Sequence, residues 1–315
     1  MPKRTGIYIS TEFARHQTTF GHPECPERID AIKEALTQSG ILEELQNIDS
    51  RTATEDEIAA CHDRAYITDV LKTIQSGASE LAGGDVSICS ESGEVAMLAA
   101  GAGLNAVDAV INKEIENAFC AVRPPGHHAR PSIPMGFCIF NTVAIVARYA
   151  QCKHGLSRVA IVDWDVHHGN GTQEIFYADN SVFFFSTHQS PWYPGTGHRE
   201  ETGEGAGKYF TMNRPFPSGV GGKEIIKVYK NDLLPALEKF KPELILISAG
   251  FDSRINDPLG GFQLTDEDFA TLTRLLMDFA AKHCGGRIVS MMEGGYSLSG
   301  LASAVTAHVT ELSKG

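Results

Sequence analysis

The sequence predicts a doubly wound α/β fold, with a mostly parallel central sheet and helices on both of its faces. Short runs that are apolar at nearly every position alternate with helical patterns almost from end to end, as expected for strands buried on both faces of a parallel sheet. The 315 residues are 42% hydrophobic and 21% charged, an ordinary composition for one globular unit. No repeat, low-complexity tract or linker interrupts the pattern, so we predict a single domain over residues 1–315.

The alternation predicts six strands and five helices. The strands are expected at residues 5–10, 118–123, 158–163, 181–186, 244–248 and 287–291. The helices are expected at residues 26–39, 94–112, 141–153, 223–240 and 266–283. The last helix follows Thr265 and begins with three acidic residues, a capping signature at the positive end of a helix. Gly101 and Gly103 lie inside the second helical pattern, which favours close packing over a dinucleotide turn.

Charge and cysteine usage exclude several classes of protein. The formal net charge of −12 argues against a general nucleic-acid binder, because phosphate binding needs Lys and Arg. The seven cysteines are scattered and form no CxxC pair, so neither a disulfide framework nor a thiolate metal site is indicated. No signal peptide or uncharged apolar run of about 20 residues is evident. We expect a cytoplasmic protein that does not bind membranes, and homo-oligomer formation stays open.

Three long loops, at residues 123–140, 187–222 and 250–264, are rich in Gly and Pro. Long loops in a compact domain are usually functional. In open parallel sheets, ligands bind beyond the carboxyl ends of the strands. We therefore expect the chemistry to lie where these loops leave the sheet.

The segment RVAIVDWDVHHGNG, residues 158–171, carries the strongest signal. Asp163, Asp165 and His167 are spaced by two, so strand periodicity places all three on one side. A row of buried carboxylates needs a cation, and imidazole with carboxylates suits zinc or a similar divalent ion. The alternative is a set of loop-capping Asp residues with a surface His.

The segment LILISAGFDSR, residues 244–254, contains a second buried strand, and Asp252 follows that strand. An Asp after a strand is usually a turn or helix cap. Together with Asp165 and His167 it would complete a three-ligand site with an open position for water, the pattern of catalytic zinc.

Two further segments carry groups for proton transfer and charge stabilisation. His127 and His128 follow a Pro-Pro-Gly turn, and beside a metal site they are better used for proton transfer than as ligands. Gly294 and Gly295 precede Tyr296 at the end of a strand, so the phenol could donate a hydrogen bond to an oxyanion. The alternatives are solvated histidines and a packed aromatic ring.

These residues resemble the histone deacetylase superfamily, which includes bacterial deacetylase-like amidohydrolases, acetylpolyamine amidohydrolases and acetoin-utilisation proteins. The motifs occur in family order over nearly the whole chain, and the PPGHHA and HHGNG forms are similar to the class II branch. The matching motifs are HPECPER (22–28), RPPGHHA (123–129), GFC (136–138), DWDVHHGNG (163–171), YPGTG (193–197), SAGFD (248–252), DPLGG (257–261) and EGGY (293–296).

The resemblance implies an arginase-like α/β fold and a zinc-dependent amidohydrolase. One zinc ion would bind Asp165, His167 and Asp252, with ferrous iron as an alternative metal. His128 would be the general base, and Tyr296 would stabilise the tetrahedral oxyanion.

The resemblance also implies supporting roles around the metal. His127, oriented by Asp163, would supply positive charge. A structural potassium ion would bind Asp163, Asp165, His167, Ser186 and Thr187, and a second outer cation would bind Phe176, Asp179, Val182 and Phe210. The substrate-binding residues would be Asp85, Gly136, Phe137, Tyr193, Leu259 and Gly294.

Asn170 departs from the class I pattern, in which an Asp partners the base. An amide cannot stabilise an imidazolium as a carboxylate does, so we expect His128 to be less basic here.

Leu259 favours acetylated lysine peptides as substrates, because polyamine-selective relatives can place a Glu at this position. The acidic residues Glu91 and Glu94 near the rim are interpreted as solvated residues at a helix start. The alternatives are an acetylpolyamine amidohydrolase, a dimetal ureohydrolase and a non-catalytic acyl-amine binder.

Overall fold

Eight parallel strands form one sheet, in the order β2-β1-β3-β8-β7-β4-β5-β6. The structure is a computed structural model that describes residues 5–49 and 51–314. The strands are β1 Thr5–Ile9, β2 Gln46–Asn47, β3 Asn117–Ala121, β4 Val159–Asp163, β5 Val182–Gln189, β6 Thr211–Phe216, β7 Leu244–Ala249 and β8 Ile288–Met292. The parallel α/β fold predicted from the sequence is confirmed.

The helices lie between the strands along the chain. They are α1 Glu27–Gln38, α2 Glu55–Ile58, α3 Arg64–Gln75, α4 Ser92–Ile111, α5 Thr142–His154, α6 Asn170–Phe176, α7 Gly222–Val228, α8 Leu234–Phe240, α9 Asp266–His283 and α10 Leu298–Ser313. The cap predicted for α9 is present, since the Thr265 side chain accepts from the N–H of Asp268 and the Asp268 side chain accepts from the N–H of Thr265.

The structure adds two strands and four helices to the prediction: β2, β6, α2, α3, α6 and α10. β6 contains Pro215, which argues against a strand in the interior of a sheet, but β6 lies at the sheet edge, where a missing N–H is tolerated. The predicted helix 223–240 is divided by a π-helical turn over Tyr229–Leu233. Pro235 lies at the start of α8, which directly follows the π-helical segment. Because proline has no N–H, it cannot donate the α-helical hydrogen bond, and the regular helix is interrupted before it.

α4 is the central core helix. Its 20 residues are long enough for a membrane span, and an 18-residue window within it has the mean hydropathy of one, 1.5, although the sequence pattern did not indicate this. In the structure 67% of that window is buried, as in the core helix of a folded domain. It packs against α5, β3 and β8.

Gly101 allows α4 to approach the preceding segment. A Cβ added at Gly101 would lie 1.9 Å from the carbonyl oxygen of Arg51, and a backbone atom cannot move aside as a side chain can. A Cβ at Gly93 in the same helix would meet the ends of two flexible side chains, Leu71 at 2.9 Å and Ile74 at 3.4 Å, and no backbone atom from outside the helix within 4 Å. The prediction that the glycines in this helix serve packing is therefore supported.

We predict that Gly101→Ala lowers the free energy of unfolding by about 2 to 3 kcal/mol, because overpacking against backbone exceeds the gain in helix propensity. Urea unfolding followed by circular dichroism measures this. Gly93→Ala is the matched control, and it should stay within about 1 kcal/mol of the wild type. Equal effects of the two substitutions would contradict the packing argument.

Candidate active site

Four neighbouring strands bring the predicted site residues together. β3, β8, β7 and β4 are adjacent in the sheet and parallel, so their carboxyl ends meet at one edge. His127 and His128 follow β3, Asp252 follows β7, and Tyr296 follows β8. β4 ends at Asp163, so Asp165 and His167 lie in the loop beyond it rather than in the strand. The N–H of Asp165 donates to Asp163 Oδ1 at 3.1 Å, and the N–H of His167 donates to Asp165 Oδ1 at 2.9 Å. These hydrogen bonds keep the three residues together.

Asp165, His167 and Asp252 form a buried cluster that could hold a metal ion. One donor atom of each lies within 4.8 Å of the others. His167 Nδ1 lies 3.0 Å from Asp165 Oδ1 and 3.1 Å from Asp252 Oδ2. Backbone N–H groups fix both carboxylates: Gly294 donates to Asp165 Oδ2 at 2.9 Å, and Val166 donates to Asp252 Oδ1 at 2.8 Å. Such outer contacts orient metal ligands in known sites.

The electrostatics of the cluster favour a cation. Burial and repulsion by Asp165 raise the pKa of Asp252 to about 7. Burial also raises the pKa of Asp163 to about 6, although His127 opposes this. Burial alone would lower the pKa of His167, but hydrogen bonds with the two carboxylates raise it to about 10. Closely spaced buried carboxylates need positive charge among them, which a divalent metal would supply.

Two glycines leave room for the carboxylates. A Cβ at Gly250 would lie 2.0 Å from Asp165 Oδ2, and a Cβ at Gly294 would lie 2.1 Å from Asp252 Oδ2. No larger residue fits at either position without displacing a donor atom. The donor set, its burial and this close approach all fit a bound metal ion.

The adjacent residues His127 and His128 have opposite electrostatic environments. Burial would lower the pKa of His127, but Asp163, Asp165 and Glu293 raise it well above its usual value. Its Nδ1 lies 2.9 Å from Asp163 Oδ2. Burial, followed by the positive charges of His127 and His167, lowers the pKa of His128 well below its usual value. Two titratable groups with oppositely shifted pKa values are typical of paired acid and base roles.

Asn170 is the partner of His128. Its Oδ1 lies 2.7 Å from His128 Nδ1, and its amide nitrogen donates to the sulfur of Met135 at 3.3 Å. Because an amide oxygen only accepts, His128 Nδ1 carries the proton and Nε2 remains an acceptor.

Glu293 is a functional residue that sequence reasoning missed. Its fully buried carboxylate accepts hydrogen bonds from the N–H groups of Gly126 at 2.6 Å and His127 at 3.1 Å, and from the Ser248 hydroxyl at 3.2 Å. Burial raises its pKa to about 7. It fixes the turn that carries the two histidines. A charged residue directly after an apolar strand was the available signal.

A cavity of about 310 Å³ leads to this cluster. Its lining residues are Asp85, His128, Gly136, Phe137, His167, Trp192, Tyr193, Leu259 and Tyr296. Trp192 was not predicted. Gly294 does not line the cavity but supports Asp165 instead. The other five predicted substrate-binding residues are brought together as expected.

Aromatic rings and Asp85 fix the walls of the cavity. The Phe137 and Tyr296 rings are edge to face, with centroids 5.9 Å apart. The Tyr193 ring lies 5.1 Å from that of His128. Asp85 Oδ2 accepts from the N–H of Gly136 at 2.9 Å and from the Tyr193 hydroxyl at 2.8 Å. Asp85 therefore holds two walls of the mouth in place.

Comparison with known proteins now decides the family, since residues 22–312 match the family model described as histone deacetylase domain. The chain belongs to the histone deacetylase family. The crystal structure of the HDA15 HD domain matches with a TM-score of 0.94 at 35% identity, covering 99% of this chain and 90% of that one. The resemblance found in the sequence is confirmed.

Several relatives of this histone deacetylase family member carry names that describe an activity. A probable deacetylase of Archaeoglobus fulgidus is 41% identical over 298 residues, which are 94% of this chain and 82% of that protein. A histone deacetylase-like amidohydrolase of Pseudomonas aeruginosa is 39% identical, covering 93% of this chain and 77% of that protein. The polyamine deacetylase HDAC10 of Homo sapiens is 41% identical, covering 98% of this chain and 48% of that protein. Family membership supports an amide-hydrolysing activity.

The residues predicted for an inner potassium ion lie at the carboxyl ends of β4 and β5. Ser186 pairs with Asp163 in the register of these strands, and both are buried, as is Thr187. The Ser186 hydroxyl lies 2.9 Å from His188 Nδ1. At the outer set, Asp179 forms an ion pair with Arg148 at 2.6 Å. Both cation sites remain predictions.

The acidic residues near the rim are neutralised within the protein. Arg15 donates to the carboxylates of both Glu91 and Glu94, the second at 2.6 Å. This pairing agrees with their interpretation as surface residues at a helix start rather than as substrate contacts.

We predict that Asn170→Asp shifts the acidic limb of the profile of kcat/KM against pH to higher pH. A carboxylate beside His128 Nδ1 would stabilise the protonated imidazole, so the base would be lost at a higher pH than in the wild type. Acetate release from an acetyl-lysine peptide, measured between pH 5 and pH 9, checks this. An acidic limb that stays in place or moves to lower pH would show that the amide does not set the basicity of His128.

Proposed function

We propose that this protein is a zinc-dependent deacetylase that hydrolyses the amide of N-acetyl-lysine, or a similar short-acyl amine, to the free amine and acetate. The observation that carries the proposal is the meeting of a three-donor metal cluster, two histidines and a tyrosine at the end of one cavity of about 310 Å³. A non-catalytic binder would not need this set of groups. The deacetylase names of the relatives agree with it.

Asp165, His167 and Asp252 would hold Zn²⁺. Three protein ligands from carboxylate and imidazole leave one position open, which is typical of catalytic zinc. When bound, zinc supplies Lewis-acid polarisation of the acyl carbonyl and lowers the pKa of water. Ferrous iron accepts the same donors and stays an alternative.

His128 is the proposed general base. Its low pKa keeps the imidazole neutral near pH 7, and Asn170 holds the proton on Nδ1. Nε2 can therefore take a proton from the attacking water. His127, kept protonated by Asp163, supplies positive charge and can return a proton to the leaving amine. The water oxygen bonds to the acyl carbon, the C–N bond breaks, and the amine leaves with a proton.

Tyr296 is the proposed oxyanion donor. Burial and the charge of Asp252 raise the pKa of its phenol well above the usual value, so the hydroxyl stays protonated and can donate. The Arg28 guanidinium lies 5.1 Å from the ring centroid and supports its position. A single donor of this kind contributes roughly 100- to 1000-fold to kcat.

An acetylated lysine side chain fits the cavity better than an acetylated polyamine. Among the described residues that line the cavity, Asp85 supplies the carboxylate, and one of its oxygens is already bonded to Gly136 and Tyr193. Leu259 supplies an apolar wall where an ammonium partner would be needed. A second ammonium of a polyamine lying beside Leu259 would lose hydration without gaining an ion pair there. Asp85 Oδ1, which has no hydrogen-bond partner among the described residues, can instead accept from a backbone N–H of a peptide substrate. We propose lysine peptides or proteins as partners and the cytoplasm as the location.

We predict that the zinc-loaded protein releases acetate from an acetyl-lysine peptide with a higher kcat/KM than from N-acetylputrescine. Tyr296→Phe should lower kcat on the peptide by roughly 100- to 1000-fold, because the oxyanion loses its donor. Acetate release measured for both substrates and both proteins tests the proposal.

Three results of these measurements would contradict the proposal. A higher kcat/KM for the diamine would contradict the lysine proposal and favour a polyamine deacetylase, as one relative is named. Full activity of Tyr296→Phe would contradict the mechanism. No turnover of either substrate by zinc-loaded protein would contradict a deacetylase of short acyl groups.

A further inference from the structure

Asp257 is a buried carboxylate between the loop after β7 and the turn after β8. It accepts three hydrogen bonds from backbone N–H groups: Oδ2 accepts from Tyr296 at 2.7 Å and Ser297 at 3.1 Å, and Oδ1 accepts from Leu259 at 3.0 Å. Asp257 is 8% exposed and does not line the cavity. Asp257 therefore reaches the cavity wall through these backbone groups, and its carboxylate charge also acts on the nearby Asp252.

The turn that carries Tyr296 is held from two sides. Gly295 has a φ of 119°, a conformation that glycine adopts readily and other residues rarely adopt, so the turn needs glycine here. Arg28 donates to the carbonyl oxygens of Glu293 at 2.5 Å and Gly295 at 2.8 Å. Asp257 accepts from the N–H groups that follow. The direction of the Tyr296 phenol therefore depends on Asp257 as well as on Arg28.

The same carboxylate fixes the opposite wall. Leu259 donates its N–H to Asp257, and its carbonyl oxygen accepts from the indole N–H of Trp192 at 2.9 Å. Trp192, Leu259 and Tyr296 all line the cavity. A continuous series of hydrogen bonds thus runs from Trp192 at the rim, through Leu259 and Asp257, to the backbone of Tyr296.

We propose that Asp257 is a positioning residue that sets the substrate-facing Leu259 and the oxyanion donor Tyr296 relative to each other. The inference rests on the proposed function, because it assigns Tyr296 to the oxyanion. A carboxylate that only capped α10 through Ser297 would change stability without changing how the acyl carbonyl is stabilised. Loss of a positioning role should therefore lower kcat more for a substrate whose oxyanion needs strong stabilisation than for one whose carbonyl is already activated. Loss of a purely structural role should lower both equally.

Asp257→Asn replaces one accepting oxygen with a donor, which cannot bond to a backbone N–H. One oxygen is then left for three N–H groups on two loops, so the spacing between Leu259 and Tyr296 changes. We expect kcat on an acetyl-lysine peptide to fall about 30-fold, part of the roughly 100- to 1000-fold that an oxyanion donor contributes. On the matching trifluoroacetyl-lysine peptide, whose carbonyl is already activated, the fall should be less than about threefold, because that oxyanion needs less stabilisation.

A second readout does not depend on turnover. The chain has two tryptophans, and Trp164 is buried, so the emission of Trp192 is isolated as the difference from Trp192→Phe. Release of Leu259 in Asp257→Asn should shift this emission. Wild-type protein inactive on both peptides would contradict the proposed function, whereas the emission of Trp192 still tests the hydrogen-bonded series.

Glu243→Gln is the matched control. Glu243 also accepts from two backbone N–H groups, of Ser157 at 2.7 Å and Arg158 at 3.0 Å, at the opposite end of the sheet, and its loss should change neither readout. Asp257→Glu keeps the charge and should recover part of kcat, and it replaces Asp257→Asn if that variant does not fold. Equal losses on the two peptides with unchanged Trp192 emission would overturn the proposal.

Discussion

The concentration of buried carboxylates at one edge of the sheet is the constraint on which the rest of the site depends. Asp163, Asp165 and Asp252 are all 0% exposed, and charges this close repel strongly in a medium of low dielectric constant. His127, His167 and backbone N–H donors offset this repulsion, and the donor atoms form a cluster suited to a metal ion. Glycines at 250 and 294 are required because the carboxylates occupy the space of a side chain.

The buried charges also give two adjacent histidines opposite electrostatic environments. His127 and His128 are adjacent in sequence, yet one faces a carboxylate and the other an amide. The neighbouring carboxylates raise the pKa of His127 above its usual value despite burial, whereas burial and the neighbouring positive charges lower that of His128. A second layer, formed by Glu293, Arg28 and Asp257, bonds to the backbone of the turns that carry the histidines and Tyr296. Positioning of this kind is what a preorganised site requires.

The sequence predicted those features that follow from local pattern. Asp165 and Asp252 each follow the carboxyl end of a buried parallel strand. Such ends meet at one edge of a sheet, so the metal cluster could be predicted without a structure. The strand β6 could not, because Pro215 is acceptable only at an edge that the sequence does not reveal. The position of Glu293 after a strand was visible, but its role was not, because the N–H of Gly126 that it accepts from lies far away along the chain. The same holds for the contact of Asp257 with Tyr296 and that of Trp192 with Leu259. The helix α10 was not predicted either, because Gly300 and β-branched residues of lower helix propensity stand among its Ala and Leu residues.

Asp165, His167 and Asp252 are proposed to hold one divalent metal ion. Calorimetric titration of metal-free protein with Zn²⁺, with the bound metal counted by elemental analysis, tests this most directly. The account predicts one zinc per chain, lost in Asp252→Asn and retained in Asp108→Asn, whose carboxylate bonds to Tyr149 and His154 instead. Two manganese ions per chain, or zinc binding that survives Asp252→Asn, would contradict it.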